Sequence, residues 1–115
     1  MFYEKTIQTQ STMEITETIN FCDQIHYFVT RKHLTDLQIS IIKGVLSVKT
    51  YEAIGNECSH SESRIRDVAC QLWKILSKGL KEPINKSNFN STIYRAYQSQ
   101  NIEQLSVRVS ARKRS

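Results

Sequence analysis

Apolar residues recur three and four positions apart along most of the chain, the spacing of one face of an α-helix. Between about Met13 and Val29 the predicted inward positions are Ile15, Ile19, Cys22, Ile25 or His26, and Val29, widened by Phe21, Tyr27 and Phe28. Thr35 is a typical N-cap for a second helix. Its predicted buried positions are Leu37, Ile41, Ile42, Val45 and Leu46. The first half therefore predicts two amphipathic helices.

Three more helices are predicted after short polar connectors. Thr50 caps a two-turn helix over Tyr51–Cys58, and Ser59-His60 forms a tight turn. Ser61 caps a longer helix from Glu62 to about Ser77, and Gly79 predicts its C-terminal stop. The apolar face of that helix is Ile65, Val68, Ala69, Leu72, Trp73 and Leu76. A last helix starts behind Asn85, with Phe89, Ile93, Tyr94 and Tyr97 facing inward.

These elements predict an all-α, compact bundle of about five helices. Three glycines and one proline are few for a β-rich chain, whose turns depend on them. We expect a flexible N-terminus over residues 1–12, one domain over 13–97, and a disordered basic tail over 98–115.

Charge and the absence of targeting segments limit the function classes. The net charge is +5, with an acidic front and a basic middle and tail, which suits a polyanionic partner. No apolar run is long enough to span a membrane, and the segment Met1–Gln10 lacks the apolar core of an export signal. We therefore expect a cytoplasmic protein without a membrane partner. Three cysteines scattered through apolar positions predict reduced, mostly buried thiols.

The stretch Thr50–Leu76 has the layout of a helix-turn-helix (HTH), formed by the third and fourth predicted helices. Such a unit needs a small residue where the two helices cross, and Gly55 stands there. It also needs an apolar residue before the turn, here Cys58, and a buried β-branched residue early in the second helix, here Ile65. The early outward positions of that second helix are polar, as a major-groove helix requires.

The same stretch resembles the N-terminal HTH domains of cyanobacterial vWA–MoxR-associated proteins, which precede NTPase, repeat or effector regions. The matching segments are Leu34–Gln38, Thr50–Ile54, Ser61-Glu62, Ile65–Val68, Gln71–Trp73, Leu76-Ser77 and Asn85–Phe89. More distantly, the core is similar to LuxR-type domains and to region four of sigma factors. The resemblance implies a compact helical domain with a DNA-binding architecture.

The chain departs from that family at three positions. The family usually has Ala where this chain has Gly55, Leu where it has Cys58, and Gly where it has Ser59. Gly55 lowers helix propensity by up to about 1 kcal/mol relative to Ala. Ser59 is expected to adopt a left-handed backbone, which Gly would tolerate better.

Candidate DNA contacts lie on and around the second HTH helix. Arg64 and Arg66 reach guanine edges or phosphates, unless they are only a solvated face. Glu62 and Asp67 accept hydrogen bonds from cytosine. Alternatively, the negative charge of Glu62 stabilises the N-terminus of the helix, and Asp67 forms an ion pair with Arg64. The other predicted contacts are Lys49, Thr50, Ser61, Ser63 and Lys74, with Arg108, Arg112, Lys113 and Arg114 of the tail on phosphates.

Catalytic and metal chemistry find no support in the sequence. Cys58, His60 and Cys70 match no four-donor zinc spacing, and no nucleophile motif or phosphate-binding loop is present. Trp73 is expected in the core rather than as an exposed anchor. We therefore expect no enzyme, metal or cofactor.

Two functional hypotheses stand side by side. The first is a DNA-binding transcriptional regulator that binds double-stranded DNA as a homodimer, because one small recognition helix buries too little surface for tight specific binding. Since the chain ends soon after the domain, a stand-alone regulator is expected. The alternative is a protein-interaction module of a bacterial signalling or defence system. Salt-dependent DNA binding would separate them.

Overall fold

A computed structural model of the protein describes residues 14–99, and this part of the chain is helical throughout. Helix α1 spans Ile15–Thr30, α2 Asp36–Leu46, α3 Tyr51–Cys58 and α4 Glu62–Leu80. Helix α5 begins at residue 89 and continues to residue 99, where the description ends. The predicted all-α bundle of about five helices is confirmed. No helix in this part of the chain is both long and apolar enough to cross a membrane.

Side-chain caps start α2, α3 and α4 at the residues that the sequence predicts, whereas α5 begins at residue 89 rather than directly behind Asn85. The hydroxyl of Thr35 accepts a hydrogen bond from the Gln38 N–H, and those of Thr50 and Ser61 cap α3 and α4 in the same way. Glu14 caps α1 in a reciprocal arrangement with Glu17. Polar side chains at these positions accept hydrogen bonds from the first backbone N–H groups, which have no partner within the helix. Residue type therefore determines where these helices begin.

The core lies around α4, which packs against α1 on one side and against α3 on another. Ile65, Ala69, Leu72, Trp73 and Leu76 of α4 are buried, as their spacing predicts. The partners from other elements are Phe21, Cys22, Ile25, Leu34, Ile41, Ile42, Val45, Ile54, Ile84, Phe89 and Ile93. Trp73 packs against Phe89 with ring centroids 5.0 Å apart, which ties α5 to α4. The prediction that Trp73 belongs to the core is confirmed.

Helix ends differ from the prediction. Residues with left-handed backbone follow all of the first four helices, and all of them carry side chains: Arg31, Val48, Ser59 and Lys81. Gly79 is not the stop of α4, which continues to Leu80 and is capped by Lys81. A Cβ on Gly79 would lie 2.4 Å from Ile25 Cγ2, so this glycine serves a close approach of α4 to α1.

The inward face of α1 is also narrower than predicted. Phe28 exposes 72% of its surface and Tyr27 42%, so neither widens the core face. Ile15 is exposed as well, whereas Thr18 and His26 are buried. The Thr18 hydroxyl donates to the Glu14 carbonyl, and the His26 ring lies 2.6 Å from the Lys32 carbonyl, so hydrogen bonds within the chain satisfy both polar groups.

The junction between α1 and α2 is organised by Asp23. Its carboxylate accepts a hydrogen bond of 2.7 Å from the Leu34 N–H and lies 2.8 Å from the His33 ring nitrogen. Burial alone would raise the pKa of Asp23, but the hydrogen bonds with Leu34 and His33 hold it below its usual value. The ionised carboxylate therefore stabilises the folded junction.

Candidate nucleic-acid interface

The HTH is built by α3, a two-residue turn and α4. Cys58 ends α3 half-buried, Ser59 takes a left-handed backbone (φ 62°), and Ile65 is fully buried beneath the turn. A Cβ on Gly55 would lie only 2.5 Å from the carbonyl oxygen of His60. Gly55 thus lets the turn fold back against α3, and the close approach predicted for it is confirmed, as is the backbone expected for Ser59.

One face of α4 is anchored and the other is open. The early outward residues Glu62, Ser63, Arg64, Arg66 and Asp67 are all exposed, as predicted, and Lys74 is exposed further along. The same open side carries Cys70 and Gln71. Because the opposite side is locked into the core, the exposed side chains are held on a rigid helix that can present them to a partner.

Two of the predicted cationic contacts are already paired with carboxylates. Arg66 Nη2 lies 2.7 Å from Glu62 Oε2, one turn earlier on α4. Lys49 Nζ lies 2.5 Å from Glu57 Oε2 of α3. The alternative pair of Asp67 with Arg64 is not formed among the described residues, whereas Glu62 pairs with Arg66. Within residues 14–99, Arg64 and Lys74 have no ion pair.

The predicted phosphate contacts Thr50 and Ser61 both serve as helix caps. The Thr50 hydroxyl oxygen accepts from the Ala53 N–H at 3.0 Å, and that of Ser61 accepts from the Arg64 N–H at 3.1 Å. Each hydroxyl hydrogen is left to donate, so capping is compatible with a phosphate contact. The tail residues Arg108, Arg112, Lys113 and Arg114 lie outside the described residues.

The comparison with protein families agrees with this geometry. Residues 13–96 match the family described as the vWA-MoxR associated protein N-terminal HTH. The chain belongs to that family. No curated protein and no solved structure shows significant similarity to the chain.

Two residues beside α4 of this vWA-MoxR associated HTH domain were not among the predicted contacts. Tyr51 opens α3, and its hydroxyl oxygen accepts a hydrogen bond of 3.0 Å from Trp73 Nε1. Lys86, from the turn before α5, places its ammonium 5.3 Å from the centre of the Tyr51 ring. No local sequence pattern indicates this contact, because Lys86 and Tyr51 are far apart in the chain and only the packing of α5 brings them together.

The pKa of the Tyr51 hydroxyl lies above its usual value. Burial raises this pKa, and the neighbouring Cys70 thiol adds to the rise, whereas the hydrogen bond from Trp73 and the charge of Arg66 partly oppose it. The cation seen in contact with the Tyr51 ring is Lys86, from the turn that precedes α5.

The cysteines are distributed differently from the prediction. Burial raises the pKa of the Cys22 thiol to about 12, but Cys58 is only half-buried and Cys70 is exposed on α4. The expectation of mostly buried thiols is therefore wrong for Cys70. Within residues 14–99, no group of three His, Cys, Asp or Glu side chains is placed to hold a metal ion.

A groove of about 580 Å³ lies away from the turn of the HTH, between α1, the end of α4 and α5. Its apolar lining comes from Phe21, Ile25, Phe28, Leu80 and Ala96. Its charged lining residues, Glu82 and Arg95, form an ion pair with each other. The groove is thus a largely apolar surface separate from the exposed side of α4.

Proposed function

We propose that the protein is a DNA-binding transcriptional regulator whose helix α4 enters the major groove. The observation that carries the proposal is the two-sided character of α4. Its apolar side is fixed in the core and supported by α3, while its early outward residues are polar and exposed. Major-groove recognition requires a helix that is held rigidly and presents polar side chains near its N-terminus.

Each exposed residue has a distinct role in this proposal. Arg64 and Arg66 read guanine or contact phosphates, and Ser63 and Asp67 face the bases between them. Glu62 holds the Arg66 guanidinium at 2.7 Å in the free protein. Because exposed ion pairs contribute little, about 0–1 kcal/mol, Arg66 can exchange Glu62 for DNA at small cost. Lys49, Thr50, Ser61 and Lys74 contact phosphates, and so do the basic tail residues.

Selection of duplexes from a random pool, followed by binding titrations, tests the proposal. Arg66→Ala should leave the fold intact and weaken binding to a selected site by about 1–3 kcal/mol per half-site. Lys43→Ala, an exposed change on α2, is the matched control and should have little effect. If no duplex is enriched, or if Arg64→Ala and Arg66→Ala both bind like the parent, the recognition helix is not the reading element.

A homodimer is part of the proposal. A single domain of this size buries about 600–1,000 Å² of its surface on DNA, whereas specific sites normally involve larger interfaces. Two copies on two half-sites supply the missing contacts. Sedimentation of the protein with a selected duplex should give two chains per DNA, and the selected sequences should contain two half-sites related by symmetry.

A protein-interaction module is the second candidate, and the charge of the folded part favours it. Residues 14–99 carry eleven basic against nine acidic side chains, and two of the basic contacts are already paired. In this case an amphipathic helix of a protein partner would occupy the groove beside the exposed Phe28. Phe28→Gln should then abolish function in cells and leave DNA binding unchanged, and salt should have little effect on association.

The proposal also gives the protein a setting. We propose that it acts in the cytoplasm of a bacterium, and the resemblance noted in the sequence implies a cyanobacterium. Binding, not catalysis, is the activity proposed. Fluorescence microscopy of a tagged chain in such a host should show it over the nucleoid, and a uniform distribution would favour the protein-interaction module.

A further inference from the structure

Lys86 differs from the other surface lysines in how firmly it is held. The turn that carries it is closed by two reciprocal hydrogen bonds: the Asn85 N–H donates to Asn88 Oδ1 at 2.8 Å, and the Asn88 N–H donates to Asn85 Oδ1 at 2.9 Å. The preceding Ile84 N–H donates to Ser77 Oγ of α4 at 2.8 Å. The backbone around Lys86 is therefore fastened directly to the recognition helix.

The Lys86 side chain is also positioned. Its ammonium lies 5.3 Å from the centre of the Tyr51 ring, within the range of a cation–π contact. The ring is fixed in turn by the hydrogen bond from Trp73, a buried residue of α4. A lysine held in this way loses less conformational freedom on binding than a free one, which favours it as a contact.

The charge of Lys86 is available to a ligand. Lys49 and Arg66 each have a carboxylate partner, whereas Lys86 has no ion pair within residues 14–99. Lys86 lies over the ring of Tyr51, at the start of α3 and beside Thr50. The Lys86 cation thus lies over a residue whose hydroxyl is hydrogen-bonded to Trp73 of α4.

We propose that Lys86, positioned by the Tyr51 ring, binds a backbone phosphate of the DNA and extends the interface from the HTH to the turn before α5. This inference rests on the proposed function. A phosphate at this place would fix the position of α4 in the major groove without reading sequence, because phosphate contacts set register and orientation. Tyr51 is then a positioning residue, and Lys86 is the contact.

Salt titrations of DNA affinity test the inference with matched variants of the full chain. Each neutralised phosphate adds about 0.9 to the log–log slope on duplex DNA. Lys86→Gln should reduce the magnitude of this slope by about 0.9 and lower the affinity for selected and scrambled duplexes by the same factor. Lys81→Gln, which removes the same charge five residues earlier, should leave the slope unchanged. Thermal melts followed by circular dichroism verify that both variants fold.

Two Tyr51 variants separate positioning from charge. Tyr51→Phe keeps the ring under Lys86 and should retain the parental slope. Tyr51→Leu removes the ring and should give a slope between those of the parent and Lys86→Gln. Equal slopes for the parent, Lys86→Gln and Lys81→Gln would overturn the inference, and so would equal losses in both lysine variants.

The same experiment distinguishes failure of the inference from failure of the proposed function. If the parent binds a selected site and Arg66→Ala weakens it while Lys86→Gln does not, only the Lys86 contact is wrong. If the parent shows no salt-dependent binding to any duplex, the proposed function fails and the Lys86 contact fails with it.

Discussion

The close approach between Gly55 and the HTH turn allows a quantitative test by the substitutions Gly55→Ala and Ser59→Gly, which introduce the residues usual in the resembling family. A methyl group on Gly55 would meet the His60 carbonyl oxygen at 2.5 Å and Ile65 Cγ1 at 3.4 Å. The nearer obstacle is backbone, which cannot rotate away as a side chain would. Alanine should therefore be unfavourable here despite its helix propensity.

The magnitude follows from opposing effects. Replacing a helical Gly by Ala stabilises by about 1 kcal/mol, whereas overpacking costs about 1–3 kcal/mol. Because the obstacle is backbone, the cost of overpacking lies in the upper part of that range and exceeds the gain in helix propensity. We therefore expect Gly55→Ala to lower the free energy of unfolding by about 1–2 kcal/mol. Ser59→Gly relieves a left-handed backbone that costs about 1–2 kcal/mol, against about 0.5–1 kcal/mol of extra chain entropy. Ser59→Gly should therefore raise the free energy of unfolding by about 0.5–1 kcal/mol.

The double variant measures the coupling between the two sites. With glycine at position 59 the turn can shift and admit the methyl group, so the double variant should be at least as stable as the parent. We expect a favourable coupling of about 1 kcal/mol. Gly79→Ala combined with Ser59→Gly is the control and should be additive within about 0.5 kcal/mol, because its obstacle is Ile25 on the other side of α4.

Urea unfolding, followed by circular dichroism and by the fluorescence of the single tryptophan, Trp73, gives the free energies of unfolding. Equal m-values across the set are needed for the comparison. A Gly55→Ala variant more stable than the parent, or an additive double variant, would refute the steric reasoning about the turn.

Three further predictions concern stability, pH and thiol reactivity. Val48 is 89% exposed with a left-handed backbone (φ 60°), so Val48→Gly should raise the free energy of unfolding by about 1 kcal/mol in urea titrations; a loss of stability would contradict the strain. The pKa of Asp23 is lower in the folded protein than in the unfolded chain. The ionised carboxylate therefore contributes fully to the free energy of unfolding above the unfolded pKa of about 3.9, and this contribution is lost as pH falls through the folded pKa. Asp23→Asn should therefore melt below the parent near pH 6, and the difference should shrink in acid; a constant difference would exclude the linkage. A thiol reagent should label Cys70 in the native protein and Cys22 only on unfolding, as peptide mass spectrometry would show, and early labelling of Cys22 would contradict its burial.

A feature of the candidate site can be predicted from the sequence when the residues that form it are close together along the chain. Ser61 and Arg64 are three residues apart, so the cap that starts α4 is local and readable. The exposure of Arg66 follows from helical period alone. Its ion pair with Glu62 was not predicted, because helical period alone does not determine which of several exposed charges one turn apart form a pair. The Lys86–Tyr51 contact needs α5 to be placed, so no local pattern contains it.

Glycine illustrates the same division in the fold. By itself the sequence determined the helices, the starts of α2, α3 and α4, and the buried face of α4, because capping residues and a spacing of three to four act within one or two turns. It did not determine that Gly79 lies inside α4 or that Lys81 ends that helix with a left-handed backbone. That was decided by the tertiary structure. Only when α1 lies against α4, with Ile25 Cγ2 at 2.4 Å from the place of a Cβ, does a side chain at position 79 become impossible without rearrangement.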